Sequence, residues 1–159
     1  MSDLLVPLYK LPPRSEGEGS TIDGGGVNIR RANSFELTAI TDFIRKEFSQ
    51  GWADETATVF NRQPIPCFIA TENKKVIGFA TVDSTRRGFF GPTGVAVKER
   101  GRGVGKALLI ASLWDLWDMG YGYAIIGAAG PVDFYVKTVS AIVIPGSEPG
   151  VYTDMIDRN

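Results

Sequence analysis

Two periods of apolar and polar positions run along the chain and divide it into strands and helices. The apolar run within Asp3 to Leu11 (Leu4, Leu5, Val6, Leu8, Tyr9) predicts a short strand, and Pro7 predicts an edge place for it. Pro12 to Gly26 is rich in Pro, Ser, Glu and Gly and predicts a loop or flexible connector. Val27 to Arg31 alternates apolar and polar side chains, as a half-buried strand does. Asn33 with Glu36 forms a capping-box pair ahead of Leu37, Ile40, Phe43, Ile44 and Phe48, which recur at helical spacing; Gly51 is the predicted stop. Ala53 to Asn61 predicts a second short helix, ended by Pro64 and Pro66.

Cys67 to Thr71 and Val76 to Asp83 predict two strands of a hairpin around the turn Glu72-Asn73-Lys74-Lys75. A third strand, Phe89 to Val97, contains Gly91, Pro92 and Gly94, which favour a bulge and would leave backbone N–H groups free for a ligand. Val104 to Met119 predicts a helix that is apolar almost all round, with Ser112, Asp115 and Asp118 as one narrow polar stripe, so it is expected to be largely buried against the sheet. Gly120 stops it, and the apolar run Tyr123 to Ala128 suits a buried parallel strand. Strand, helix and parallel strand make one right-handed crossover. Asp133 to Lys137 predicts a short helix, and Val139 to Ile144 and Gly150 to Ile156 predict two late strands.

With 159 residues the chain suits one domain with a real core. No stretch is apolar enough to span a bilayer, and the first ten residues lack the apolar run of a secretory signal. The single cysteine, Cys67, rules out an internal disulfide and suits a reducing, cytoplasmic setting. A net charge of −1 argues against a surface built for nucleic acid. The chain contains 0 histidines, so Ser-His and Cys-His nucleophiles are unavailable and a zinc site is not expected. Catalysis here must use carboxylates, tyrosine, lysine, water or backbone groups.

Positive charge collects at Arg86-Arg87 and at the turn between the third strand and the long helix, where Arg100, Arg102 and Lys106 fall together. Cations are unfavourable at a helix start unless an anion sits among them, and glycines admit that anion to the free N–H groups. A Walker A loop fails here, because Arg100 and Ala107 stand where it needs Gly and Ser or Thr. The dinucleotide G-x-G-x-x-G also fails, because the glycines are Gly101, Gly103 and Gly105. Arg100, Gly103 and Gly105 do fit Arg-x-x-Gly-x-Gly. That pattern, with the order of elements, resembles the acetyl-CoA pyrophosphate loop of the GNAT superfamily of N-acetyltransferases. The resemblance covers roughly residues 27 to 156, leaving 1–26 as an N-terminal extension and 27–159 as the domain.

The resemblance implies an α/β (α+β) fold: a mixed, mostly antiparallel central sheet flanked by helices and splayed at the acetyl-CoA site. It implies acetyl-CoA as acetyl donor. Val95, Ala96 and Val97 would offer strand backbone groups to it, and Arg100, Gly101, Arg102, Gly103, Val104, Gly105 and Lys106 would hold the pyrophosphate. Arg102 is either a ligand contact or a solvated charge. Tyr135, in Phe134-Tyr135-Val136-Lys137, matches the tyrosine that protonates the leaving thiolate. Ala128 stands where the family often has asparagine, and no glycine follows the tyrosine motif around Thr138 to Ala141, so those CoA contacts are either missing or made by backbone.

The expected reaction is direct acetyl transfer to a primary amine of an acceptor that the sequence does not identify, a small molecule being favoured; a small amine, an amino acid, an amino sugar and a protein N-terminus all remain open. Asp83, Glu47, Glu55 and a water chain all remain open as the base. Trp52, Phe89 and Phe90 are either acceptor-pocket walls or core, and Cys67 reads as core. Arg86 and Arg87 either read an anionic group or cap a solvated turn. The rival reading is an acyl-CoA-binding sensor without turnover. No membrane or nucleic-acid partner is expected, and the late strands offer an edge at which two copies pair as a homodimer.

Overall fold

The computed structural model describes residues 1–157. The strands are β1 (Leu4–Pro7), β2 (Val27–Arg31), β3 (Cys67–Glu72), β4 (Lys75–Val82), β5 (Phe89–Val95), β6 (Tyr123–Ile126) and β7 (Ile142–Val143). The helices are α1 (Leu37–Glu47), α2 (Gln50–Ala57), α3 (Val104–Asp118) and α4 (Val132–Val139). One sheet runs in the order β2-β3-β4-β5-β6-β1-β7. Every pairing is antiparallel except β5 with β6, so the sheet is mixed and mostly antiparallel, as expected.

Alternation along the strands sends side chains into two cores. Cys67, Ile69 and Phe79 face Ile40, Ile44 and Ala53 of α1 and α2. Phe68, Ala70 and Ala80 face Leu108, Ala111 and Leu113 of α3 on the other side. The helix α3 is buried nearly all round, which its apolar sequence required. No helix among the described residues is long and apolar enough to cross a membrane.

Several elements differ from the sequence reading. The first strand is internal, because β1 pairs with β6 on one side and β7 on the other. Its Pro7 is tolerated since β7 reaches only Leu4 and Leu5. The glycine-rich segment after it is tied down across α3 instead of running free. The Trp114 indole donates to the Pro12 carbonyl at 2.9 Å, and Arg14 lies 4.2 Å over that ring. At Gly17 a Cβ would come within 2.6 Å of the Ala111 backbone nitrogen, so only glycine permits this approach. Gly51 does not stop α1; it lies inside α2, whose start is set by Ser49 accepting from the Trp52 N–H at 3.1 Å. Gly150 to Tyr152 forms a 3-10 turn rather than a strand, and Gly150 takes a φ of 63°. The β7 edge exposes Ile142 and Val143.

Among the described residues, three ion pairs join β2 and the N-terminal segment to α3: Arg31–Asp115, Arg14–Asp118 and Lys106–Glu16. Arg31 meets Asp115 in a fork at 2.7 and 3.0 Å and also donates to the Ile65 carbonyl at 2.7 Å. The Asp115 side chain is 9% exposed, whereas Arg14 and Asp118 form their pair in the open. Removing one partner of a buried pair strands the other charge, while an exposed pair is screened. Asp115→Ala is therefore expected to cost about 2–3 kcal/mol in urea unfolding, and Asp118→Ala less than about 1 kcal/mol.

Candidate functional site

The strands β5 and β6 lie side by side at only two residue pairs, Phe89 with Ile125 and Phe90 with Ile126. Beyond them the strands part, for a reason on each side. On β5, the register against β4 steps from Val82–Phe90 to Ala80–Thr93, which puts one extra residue into the Gly91-Pro92 segment. The Thr81 hydroxyl, 3.2 Å away, bonds the Pro92 carbonyl there. On the other side, the chain leaving β6 turns toward the N-terminal segment. The Ala128 N–H donates to Asp3 Oδ1 at 2.8 Å, and the Ala129 N–H donates to the Ser2 carbonyl at 3.1 Å. Ala128 sits in the left-handed region, with φ 46°.

The gap opens into a cleft of about 610 Å³ between β5, the start of α3 and α4. It gathers Val95, Arg100, Gly101, Gly103, Val104, Gly105 and Lys106 of the glycine turn with Tyr135 of α4. Thr93, Gly94, Glu99, Pro131 and Phe134 complete its lining. Gly101 and Gly103 have φ values of 79° and 84°, and the space where a Cβ would stand is open at both. Gly103 is the N-cap of α3, so no side chain caps this helix, and its first turn carries no acidic residue. The first N–H groups of α3 are thus left for an anion, with the helix dipole behind them.

Other turn residues are placed elsewhere. The Ala96 N–H donates to the Ile77 carbonyl at 2.9 Å. Ala96 and Val97 line a separate hollow against α1, and Val97 already belongs to a 3-10 turn, since β5 ends at Val95. Neighbouring residues of a strand point their N–H groups to opposite edges, so Val95 faces the gap. Its carbonyl accepts from Arg100 Nε at 3.1 Å. Arg102 also lies outside the cleft. It is held by Glu72 at 2.6 Å, Asp23 and Glu99, and the first two raise its pKa. It is neither a solvated charge nor a lining residue but a clamp between the turn, β3 and the N-terminal segment. Lys106 stays at the cleft, with Glu16 3.7 Å from its Nζ.

Tyr135 stands between this cleft and a second cavity of about 290 Å³, which Trp52, Phe90 and Thr93 also line. The phenol ring packs edge-on against Phe90 and Phe134, with centroids 6.3 and 5.2 Å away. Burial raises its pKa, so the hydroxyl keeps its proton through neutral pH. A third hollow, also about 290 Å³, continues past Trp52 to Glu55, Thr85 and Tyr152. Phe48 supports Trp52, with ring centroids 5.4 Å apart, and at Gly94 a Cβ would fall 2.4 Å from the Phe48 ring.

Of the carboxylates considered as the base, only Glu55 borders these cavities. Asp83 accepts from the Gly88 N–H at 2.5 Å and the Tyr121 hydroxyl at 3.3 Å, which commits it to the β4–β5 turn. Glu47 lines the hollow against α1. Trp52 and Phe90 do line the second cavity; Phe89 packs under Gly127. Arg86 and Arg87 are exposed on their turn. Cys67 is fully buried and its thiol is pushed up to about 12 by burial, so it is an inert core residue. Met1, which borders the second and third cavities, and Tyr152, which borders the third, carry no signal in the sequence, because tertiary folding alone brings them there.

A mixed sheet thus splays beside a glycine-rich helix start. The acetyltransferase (GNAT) family model matches residues 37–130, and the chain belongs to that family. Three solved structures share the fold. A GCN5-related glucosamine N-acetyltransferase region of a fungal multi-domain GH3 beta-N-acetylglucosaminidase aligns with a TM-score of 0.68 at 18% identity, covering 90% of this chain and 19% of that one. A GCN5-related N-acetyltransferase from Sphaerobacter thermophilus gives 0.69 at 18% identity, covering 90% of this chain and 48% of that one. An aminoglycoside acetyltransferase from an uncultured soil metagenomic sample, in complex with trehalose, gives 0.53 at 19% identity, covering 71% and 87%. This chain therefore spans less than half of the first two proteins. No curated protein matches it in sequence.

The Arg102 clamp makes a pH-dependent contribution to stability. Its hydrogen bonds lower the Glu72 pKa below the unfolded value. A lowered carboxylate pKa stabilises the fold above the unfolded pKa, and that gain is lost as pH falls through the folded one. Arg102→Ala is expected to melt below the wild type at pH 7, with the gap closing below about pH 4, as calorimetry across pH would read.

Proposed function

We propose that this protein transfers the acetyl group of acetyl-CoA directly to a primary amine of a small molecule. One observation carries the reading: a single cleft runs from the uncapped, glycine-lined start of α3 to the buried hydroxyl-bearing ring of Tyr135. The residues present fit the donor. The first N–H groups of α3, with Arg100 and Lys106, suit a pyrophosphate. The unpaired β5 edge at Thr93 and Val95 suits the amide-rich arm and the thioester carbonyl.

In the reaction the amine nitrogen bonds the acetyl carbon and the carbon–sulfur bond breaks. Backbone N–H groups on the β5 edge stabilise the charge that develops on the carbonyl oxygen. Tyr135 gives its proton to the departing sulfur and regains one from the proton the amine loses, relayed by water. No carboxylate among the described residues lines the cavity that Tyr135 shares with Trp52, which supports deprotonation through water. The buried free thiol of Cys67 suits a reducing, cytoplasmic setting.

A thermal-shift titration tests the donor. Acetyl-CoA and CoA are expected to raise the melting temperature by mass action, and Gly103→Glu to abolish the rise by placing a carboxylate in the cradle. No shift in the wild type at millimolar ligand would remove the assignment. Tyr135→Phe is expected to lower kcat about a hundredfold with little change in the KM for acetyl-CoA. In the wild type, kcat/KM is expected to rise with pH as the acceptor ammonium deprotonates. It should show no fall up to about pH 10, because the Tyr135 pKa lies above the ordinary tyrosine value.

A further inference from the structure

The two cavities beyond Tyr135 differ in charge, and that difference specifies the acceptor if the transferase reading holds. They share Trp52, Phe90, Gly91 and Pro92 and so form one groove. The end at Tyr135 is bordered by no charged side chain among the described residues. An amine there meets no carboxylate on the wall to hold it as ammonium, which favours its neutral, nucleophilic form. The far end is bordered by Glu55, Thr85 and Tyr152. The Thr85 hydroxyl donates to Glu55 Oε1, which fixes the carboxylate in place and leaves Oε2 without a hydrogen-bond partner among the described residues.

Glu55 is the one charged side chain on the wall of that far end among the described residues. The Met1 ammonium, at a residue that borders both cavities, is paired with Glu148, and the Arg86 guanidinium is turned back to the Thr85 carbonyl at 2.9 Å. After burial itself, Glu55 and Asp3 act on the Tyr152 hydroxyl, both raising its pKa and both more strongly than Arg86 lowers it. Two aromatic side chains, Trp52 and Tyr152, and a carboxylate on the wall of one cavity suit an alkylammonium.

We infer that the acceptor is doubly cationic in solution: an extended molecule whose reacting amine sits at Tyr135 while a second ammonium is held by Glu55 in the cavity that Trp52 and Tyr152 also line. A diamine of linear chain is the simplest such compound. Glu55 is then a specificity residue at the distal charge rather than the base.

Matched pairs of amines test this with the intact protein and saturating acetyl-CoA: putrescine against n-butylamine, and cadaverine against n-pentylamine. One charge-assisted contact predicts a diamine-to-monoamine ratio in kcat/KM of about tenfold or more. In Glu55→Gln that ratio is expected to fall toward one. Because the ratio is internal to each preparation, partial loss of folded protein does not alter it. Should Glu55→Gln not fold, the wild-type ratio is expected to shrink as ionic strength rises, since the distal contact opens to solvent. A wild-type ratio near one, a ratio that survives Glu55→Gln, or a ratio indifferent to salt would each overturn the inference. Equal losses with both amines would instead assign Glu55 to the chemistry or the fold. Transfer to none of these amines while acetyl-CoA still stabilises the protein overturns the inference and leaves the transferase reading standing. Absence of any acetyl-CoA effect removes that reading itself.

Discussion

The parting of β5 from β6 is the constraint on which the rest of the structure depends. A parallel pair of strands would normally continue hydrogen bonding until one of them ends. Here both are turned aside after two residue pairs. The extra residue at Gly91-Pro92 bends β5 along β4, and the Asp3 carboxylate and Ser2 carbonyl take the N–H groups that follow β6. The β5 edge that faces away from β4, at Thr93 and Val95, is thereby left at the gap. Buried polar groups without partners are costly, so such a gap persists only where water or a ligand satisfies them. The start of α3 opens at the same place, because its helix crosses over from β5 to β6 and must begin at the end of β5.

The three cations of the glycine turn illustrate how one stretch of sequence serves two purposes. Arg100 and Lys106 border the cleft, whereas Arg102 is drawn away by Glu72, Asp23 and Glu99. A turn with Gly101 and Gly103 in left-handed conformations has little stiffness of its own. The Arg102 clamp supplies that stiffness from the turn's outer side, so the open cradle faces the cleft without a side chain filling it. The same residue also joins the N-terminal segment, through Asp23, to the end of β3.

The sequence displayed local signals clearly and remote ones hardly at all. The β3–β4 hairpin, the bulge at Gly91-Pro92 and the burial of α3 followed from composition and periodicity within short windows, and each is present. The stop assigned to Gly51 was misplaced because Ser49, two residues earlier, caps the next helix and takes Gly51 into its first turn. The direction of Arg102 was not legible, since its partners Glu72 and Asp23 lie 30 and 79 residues away in sequence. For the same reason nothing marked Met1 or Tyr152 as neighbours of the groove. Val97 was placed on the strand by its apolar character, yet the chain leaves the sheet at Val95 and exposes it.

The N-terminal strand shows why such remote contacts matter to the site. Taken alone, Leu4 to Pro7 is a short apolar run with a proline, which reads as a dispensable edge. In the sheet it separates β6 from β7, and the residue before it, Asp3, is 8% exposed. Around Asp3, the backbone N–H donates to Ser147 Oγ at 2.8 Å, the carbonyl accepts from Ile144 at 2.9 Å, and the carboxylate accepts from Ala128. One residue thus fixes the loop that carries the chain from β6 to α4, and α4 carries Tyr135. The Ala128 position lacks the side-chain amide common in the family, but its backbone is held by Asp3 in a conformation that alanine adopts only under such restraint. The placement of the tyrosine therefore depends on a contact that spans 125 residues of sequence, so the segment that looked additional to the domain is part of what shapes its cleft.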